Sequence, residues 1–403
     1  NVYGVKHCNN ASEGGDAHVP QTPQRVFLFL ILHKNERGCV IMKKARLLLL
    51  TFLLVGTSII SAAAQAQVPS QISDTARHYP VTLTPNWTEM KRTDRVDACQ
   101  LSNDAIENMS TEELLQTVLA YPFMIDLYAF DTYRAGFEHV YREFPALAKL
   151  TKRADFGAVL IDFYRNIPVE NAYSVSANAN YQNIRSLSII EILIAQEEVT
   201  GGLDEAEVNL LIQISEEKNL ERKRNLEVNC GNLTTFHNAL QENPDSTIAR
   251  AVATVTTPKG TKVEVENQSS IVDWSAAEKS SLNSQCLAAY PTATKVRDAT
   301  KKYNCHSYAW YSTSASNYYW MSDPSPYMTD GSYQKTSSSS NGNKVYWQEE
   351  IYGTFYPEHS GILADNLKNS PYISCNSKWG QLGLYNHPLD DCPYSSTWSY
   401  WTR

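Results

Sequence analysis

The run Tyr303-Asn304-Cys305-His306-Ser307-Tyr308-Ala309-Trp310 sets a cysteine after a polar residue and before a short run of small and aromatic residues. That pattern predicts a loop ending at the N-terminus of a helix. Unpaired backbone amides and the helix dipole there favour the thiolate, the nucleophilic form of cysteine. A histidine follows 54 residues later, in Glu358-His359-Ser360-Gly361-Ile362-Leu363, at the start of a predicted short strand. Turn residues Asp365 to Ser370 come next. A second predicted strand, Pro371 to Ser374, leads into Cys375-Asn376-Ser377-Lys378-Trp379-Gly380.

The elements that must position these groups are predicted from periodicity. From Asp104 to Arg224 the pattern is helical. Ser110-Thr111-Glu112-Glu113 is a capping box, and Leu114, Leu115, Val118 and Leu119 repeat at helical spacing until Tyr121-Pro122 interrupts. A second helix is predicted over Asp155–Tyr164. A third runs through Ile184, Leu187, Ile190 and Ile194 and stops at Gly201-Gly202, where a left-handed C-cap is expected. A fourth begins at Asp204, with Val208, Leu211 and Ile214 on one stripe. These stripes need partners, so a small helical bundle is predicted. Asp155-Phe156-Gly157 spells a kinase triplet, but no other kinase motif accompanies it. The charged run Glu216 to Arg224 reads as the solvated end of a helix. Ala249 to Val265 reads as a hairpin around the turn Pro258-Lys259-Gly260. Thr336 to Asn343 reads as a flexible loop. Residues 286–403 hold 15 of the 24 tyrosines, and six of the eight tryptophans lie beyond residue 300. That density suits a ligand cleft or packing alone.

The order and spacing of the cysteine and histidine segments resemble the papain-like amidohydrolases of the NlpC/P60 and CHAP kind, over about residues 290–395. Those families use Asp-Cys-Ser-Gly where this chain has Asn304-Cys305-His306-Ser307. The resemblance implies an α+β fold, an N-terminal helical bundle followed by a papain-like α+β domain. It implies Cys305 as nucleophile and His359 as the general base that later protonates the leaving amine. It also implies an oxyanion held by the Cys305 amide and one further donor. The third residue stays open. Asn376 is favoured slightly, because its amide can accept from the imidazole N–H; Ser377 or His387 are the alternatives. Trp379 and Tyr303 are candidate substrate contacts.

Plainer readings stand beside these. Cys305 is also readable as a structural thiol or half of a disulfide, and a lone histidine on a strand is more often structural than catalytic. His306 lacks a second ligand pair at metal-binding spacing, so no metal and no cofactor is expected. A reduced Cys305 leaves an odd number of other cysteines in the chain after residue 66. Cys375 and Cys392 are candidates to clip the C-terminal segment by a disulfide.

The chain has 403 residues, with 35 Lys and Arg against 43 Asp and Glu, a net charge of −8. Lys43, Lys44 and Arg46 precede the apolar stretch Leu47–Ile60, and Ala64-Gln65-Ala66 supplies a cleavage site. Residues 42–66 are therefore expected to be an export signal, and 1–41 an upstream segment from a misplaced start. Fourteen apolar residues are too few to span a bilayer comfortably. Beyond residue 66 the balance is 28 basic against 40 acidic, or −12, which excludes a nucleic-acid partner. Two domains are expected, a helical one over 67–245 and a hairpin plus hydrolase domain over 246–403. The expected function is a secreted or periplasmic bacterial cysteine amidohydrolase or peptidase, with peptidoglycan stem peptides as substrate by analogy. The alternatives are a non-catalytic wall- or glycan-binding protein with an aromatic C-terminal surface, or an exported protease or deamidase.

Overall fold

Local capping starts the helices of the N-terminal half. The computed structural model describes residues 86–169, 187–225, 252–394 and 396–403, all within one unit, Pro69–Arg403. Among these, α1 is Arg92–Ala98, α2 Asn103–Asn108, α3 Thr111–Leu119, α4 Tyr133–Glu143, α5 Pro145–Leu150 and α6 Phe156–Asn166. The predicted box at Ser110 is formed: its hydroxyl accepts from Glu113 N, and Glu113 returns to Ser110 N at 2.8 Å. Pro122 then redirects the chain into a 3-10 helix, Pro122–Tyr128. In α7, Glu205–Asn225, Asp204 and Glu207 cap each other reciprocally at 2.9 Å, and Leu211 and Ile214 are buried.

Two local expectations fail. Gly201 caps its helix at φ −65°, in the right-handed region, so no left-handed C-cap forms there. Lys218, in the charged run, is buried. Its ammonium donates to Ile167 O at 2.5 Å and lies 5.4 Å from the Tyr164 ring, so a positive charge is capping the end of α6.

The export signal, the upstream segment and the expected domain boundary at 245/246 lie outside the described residues. One apolar cluster runs from helical residues such as Leu114 and Phe137 to sheet residues such as Trp347 and Leu363. No helix among the described residues is long and apolar enough to cross a membrane.

The hairpin pairs β1 (Val252–Thr256) with β2 (Lys262–Asn267) around Gly260, whose φ of +89° requires glycine. A two-residue strand, β4 (Tyr319–Trp320), completes a small sheet in the order β1-β2-β4. Between them α8 (Ala276–Ala289) leads to β3 (Thr294–Arg297). The larger sheet is antiparallel in the order β3-β9-β8-β7-β6-β10-β5. Its strands are β5 (Gln334–Thr336), β6 (Lys344–Ile351), β7 (Thr354–Ala364), β8 (Ser374–Lys378), β9 (Leu384–Pro388) and β10 (Thr397–Thr402). Alternation divides its faces. Val345, Trp347, Leu363 and Cys375 join the helical core, while Tyr346, Ile362 and Leu384 pack with Val263 and Val265 of the small sheet. The fold is mixed α+β.

Buried polar bonds fix the helices to the sheet. Gln381 N donates to Tyr128 O at 2.8 Å, and Trp274 Nε1 donates to Gln381 O at 3.0 Å. Arg92 donates to Glu143 at 2.6 and 2.9 Å and to Asp126 at 3.3 Å, and Tyr290 OH donates to Asp126 at 2.7 Å. Asp126, His139 and Glu143 are close enough to share a metal ion, but the Arg92 guanidinium already bonds all three. Arg95, fully buried, pairs with Asp391.

Candidate active site

Asn304 builds the turn that carries Cys305. Its Oδ1 accepts from Ser307 N and Met321 N, each at 3.1 Å. Its Nδ2 donates to Met321 O at 2.7 Å and to Asp131 at 3.0 Å. All four hydrogen-bonding positions of the amide are used. Cys305 is therefore in the first turn of a short helical segment, as the sequence predicts. The segment then widens into a π-helical turn, Ser307–Tyr311, a distortion frequent at functional sites that no residue pattern announced.

The environment of the sulfur departs from expectation. Burial pushes the Cys305 thiol well above its ordinary value, and Asp131 adds to that. The backbone amides of Ser360 and His306, with Lys378, pull the other way and lose. Desolvation outweighs one turn of helix, so the thiol is protonated in this form.

Ser360 is the anchor of the turn on β7. Its hydroxyl accepts from Trp310 Nε1 at 2.8 Å and bonds His306 Nδ1 at 2.8 Å. Burial holds His306 down at about 3, so the ring is neutral.

His359, one residue earlier, projects to the opposite face by strand alternation. Its ring stacks on Tyr394 with centroids 3.6 Å apart and tilts against Trp347 at 5.0 Å. It is fully buried, and neither ring nitrogen has a hydrogen bond. Burial, then the neighbouring His387 and His306, keep its pKa well below the usual histidine range. No hydrogen bond joins Cys305 and His359.

The three candidates for an orienting residue are on β8 and β9. Asn376 Oδ1 accepts from Asn386 Nδ2 at 2.9 Å, on the face shared with Ile362, and makes no bond to His359. Ser377 and His387 are brought to each other, with Ser377 Oγ 2.6 Å from His387 Nε2. His387 Nδ1 donates to Pro388 O at 2.7 Å, so Nε2 is the acceptor and the serine the donor. Trp379 Nε1 donates to the same Ser377 oxygen at 3.0 Å, and Cys375 Sγ lies 3.4 Å from His387 Nε2. This is a hydroxyl, an imidazole and an orienting carbonyl in line, within the core; burial holds His387 down at about 4. Trp379 and Tyr303 are buried as well. Cys375 and Cys392 are both free thiols, so the clip between them is not formed.

Lys378 was missed by the sequence reading. It is completely buried on β8, and a lone lysine in a strand gives no signal that it turns inward. No family model matches the chain, and no curated protein or solved structure matches it.

Proposed function

We propose that the chain is an exported cysteine amidohydrolase of papain-like design, with a helical N-terminal part, in which Cys305 is the nucleophile and His359 the base. One observation carries this reading. A fully buried imidazole with both nitrogens unbonded adjoins, through one peptide bond, the Ser360 amide that lies against the Cys305 sulfur. Leaving two such polar atoms unpaired costs about 1–3 kcal/mol each, a cost typical of groups held ready for a partner. His359 has a free lone pair on the face of β7 opposite Ser360, with its plane fixed by Trp347 and Tyr394, so accepting the thiol proton requires the ring to turn toward the sulfur as substrate binds. Both groups are neutral at rest, so proton transfer accompanies attack on the substrate carbonyl and no ion pair is formed beforehand. Stem peptides of the cell wall are the proposed substrate, in a periplasmic or secreted setting.

The test is iodoacetamide labelling of Cys305 at pH 6 in the protein lacking residues 1–66, compared with His359→Ala, followed by incubation with muropeptides. Labelling that falls at least tenfold in the variant, with muropeptide cleavage abolished by Cys305→Ser, supports the reading. An unreactive thiol with muropeptides left intact overturns it.

A further inference from the structure

Asn341-Gly342 is the single Asn-Gly step in the chain, in the serine-rich loop between β5 and β6. Both residues are exposed, and glycine sets no Cβ beside its own nitrogen. The Gly342 nitrogen is thus sterically free to attack the side-chain carbonyl carbon of Asn341, a reaction that such a step undergoes without a catalyst.

In the fold both reacting groups are tied down. Gly342 N donates to Leu363 O at 2.8 Å and Leu363 N returns to Asn343 O at 2.8 Å, which lays the end of the loop along β7. Asn341 Nδ2 donates to Asp365 Oδ1 at 2.5 Å, one residue past the end of β7. Among the described residues, no other side-chain hydrogen bond from residues 336–343 reaches beyond the loop. Ser338 and Ser340 bond each other, and Asn343 Nδ2 returns to Ser338 O at 3.0 Å. A latch of a few bonds on an exposed loop opens at a small fraction of the free energy of global unfolding.

We propose that Asn341 is a self-modification site gated by this latch: its amide is lost as ammonia when the loop opens, and the product cannot latch again. Gly342 N gives up its proton and bonds to Cγ of Asn341. The Cγ–Nδ2 bond breaks, and ammonia leaves with that proton. Water then opens the five-membered imide. Addition at Cγ gives aspartate at 341, and addition at the backbone carbonyl carbon gives isoaspartate. Water is the only co-reactant, and nothing is oxidised or reduced.

Both products lose the donor that Asp365 accepts. Aspartate sets a carboxylate opposite Asp365, so a hydrogen bond becomes like-charge repulsion. Isoaspartate also lengthens the main chain by one carbon, which shifts Gly342 N off Leu363 O. Asp365 O accepts from Asn386 Nδ2 at 3.0 Å, and Asn386 Oδ1 accepts from Leu367 N at 3.0 Å. The latch therefore abuts the bonds that close the turn between β7 and β8.

The experiment is peptide mass mapping of the full chain during incubation at about pH 8, folded and in concentrated urea. The peptide bearing residue 341 should gain about 1 Da in both, at least about tenfold faster in urea, where the latch is absent. Asp365→Ala cuts the side-chain half of the latch. It should speed the folded reaction about threefold or more and leave the rate in urea unchanged. Asn341→Asp stands for the product, and limited proteolysis should cut it within residues 336–343 at least about fivefold faster than wild type. No mass gain in urea overturns the site. Equal rates folded and in urea, or no acceleration in Asp365→Ala, overturn the gating. An Asn341→Asp loop cut at the wild-type rate overturns the release. None of these outcomes depends on Cys305, so the hydrolase reading stands or falls separately.

Discussion

His359 and Tyr394 lie face to face, their ring planes 12° from parallel and their centroids 3.6 Å apart. Tyr394 also donates its hydroxyl to Ala129 O, just beyond the 3-10 helix, so one side chain ties the imidazole of β7 to the helical core. Tyr394→Phe keeps the stack and loses the hydroxyl. It should cost about 1–2 kcal/mol in urea unfolding and leave Cys305 labelling unchanged. Tyr394→Ala removes the stack, at a cost of about 3–5 kcal/mol, and should change the labelling rate as well. Equal labelling in both variants would separate the tyrosine from the site.

Three imidazoles buried as neutral rings make stability fall with acid. His306 is held at about 3, His387 at about 4 and His359 well below 6.5, whereas unfolded histidine titrates near 6.5. Below that pH the unfolded chain takes up protons that the folded one refuses. Stability is thus full above about pH 7 and falls by up to roughly 1.4 kcal/mol per pH unit for each ring until the folded values are reached. Urea midpoints at pH 7 and pH 5 should differ strongly, and His387→Gln should flatten the slope. A pH-independent midpoint over that window would mean that the rings titrate normally.

A second acid loss follows at lower pH. Burial disfavours the ionised Glu143 carboxyl, but the Arg92 hydrogen bonds at 2.6 and 2.9 Å and the Arg92 charge, with His139 close by, outweigh it and hold the group down at about 2. Its folded value is depressed, so its contribution is present above about pH 4.3, the usual glutamate value, and is lost as pH falls toward 2. Glu143→Gln should remove that dependence and lower stability at pH 7 by about 3–5 kcal/mol, because Arg92 is then left without its main acid. Circular dichroism melts of both proteins from pH 7 to pH 2 check this.

What the sequence disclosed is local chemistry. The box at Ser110, the helix start at Asp204, the turn at Gly260 and the entry to Cys305 all depend on residues within a few positions of one another. The relationships that decide the site are distant. Asn304 meets Asp131 across 173 positions, and Arg92 meets Tyr290 across 198. The inward turn of Lys378 follows from register with β7 and β9, which no local pattern encodes. The expected low thiol pKa failed for the same reason, since desolvation is set by what packs around Cys305. The predicted left-handed cap at Gly201 failed because glycine permits φ > 0 without requiring it.

Gly380 shows the same dependence at a single atom. At φ +44° it presses on the end of the 3-10 helix, where an added Cβ would stand 2.5 Å from both Tyr128 O and Ala129 O. Its carbonyl also holds Lys378. Backbone cannot yield as a side-chain tip can, so Gly380→Ala should cost more than about 3 kcal/mol, beyond the usual penalty for overpacking. Gly342→Ala, at φ +88° with nothing near its Cβ, carries only the conformational strain and should cost about 1 kcal/mol. Equal losses in the two variants would show that the helical core does not bear on Gly380.

Asn304 is held by bonds that an aspartate at this position could not make. Asp131 already accepts from Asn304 Nδ2, and Met321 O needs the second proton of the same amide. An aspartate at 304 could still accept from Ser307 N and Met321 N, but would set a carboxylate against Asp131 and leave Met321 O unpaired. Asn304→Asp is nearly isosteric, so its effect reads chemistry and not volume. It should cost about 2–4 kcal/mol at pH 7, combining a lost pair of bonds with like-charge repulsion in a buried place. Protonation would restore a donor, so the deficit should shrink as pH drops toward 5. Unfolding curves of Asn304→Asp and wild type at pH 7 and pH 5 test this. A deficit that stays constant between the two would remove the repulsion with Asp131 from the account.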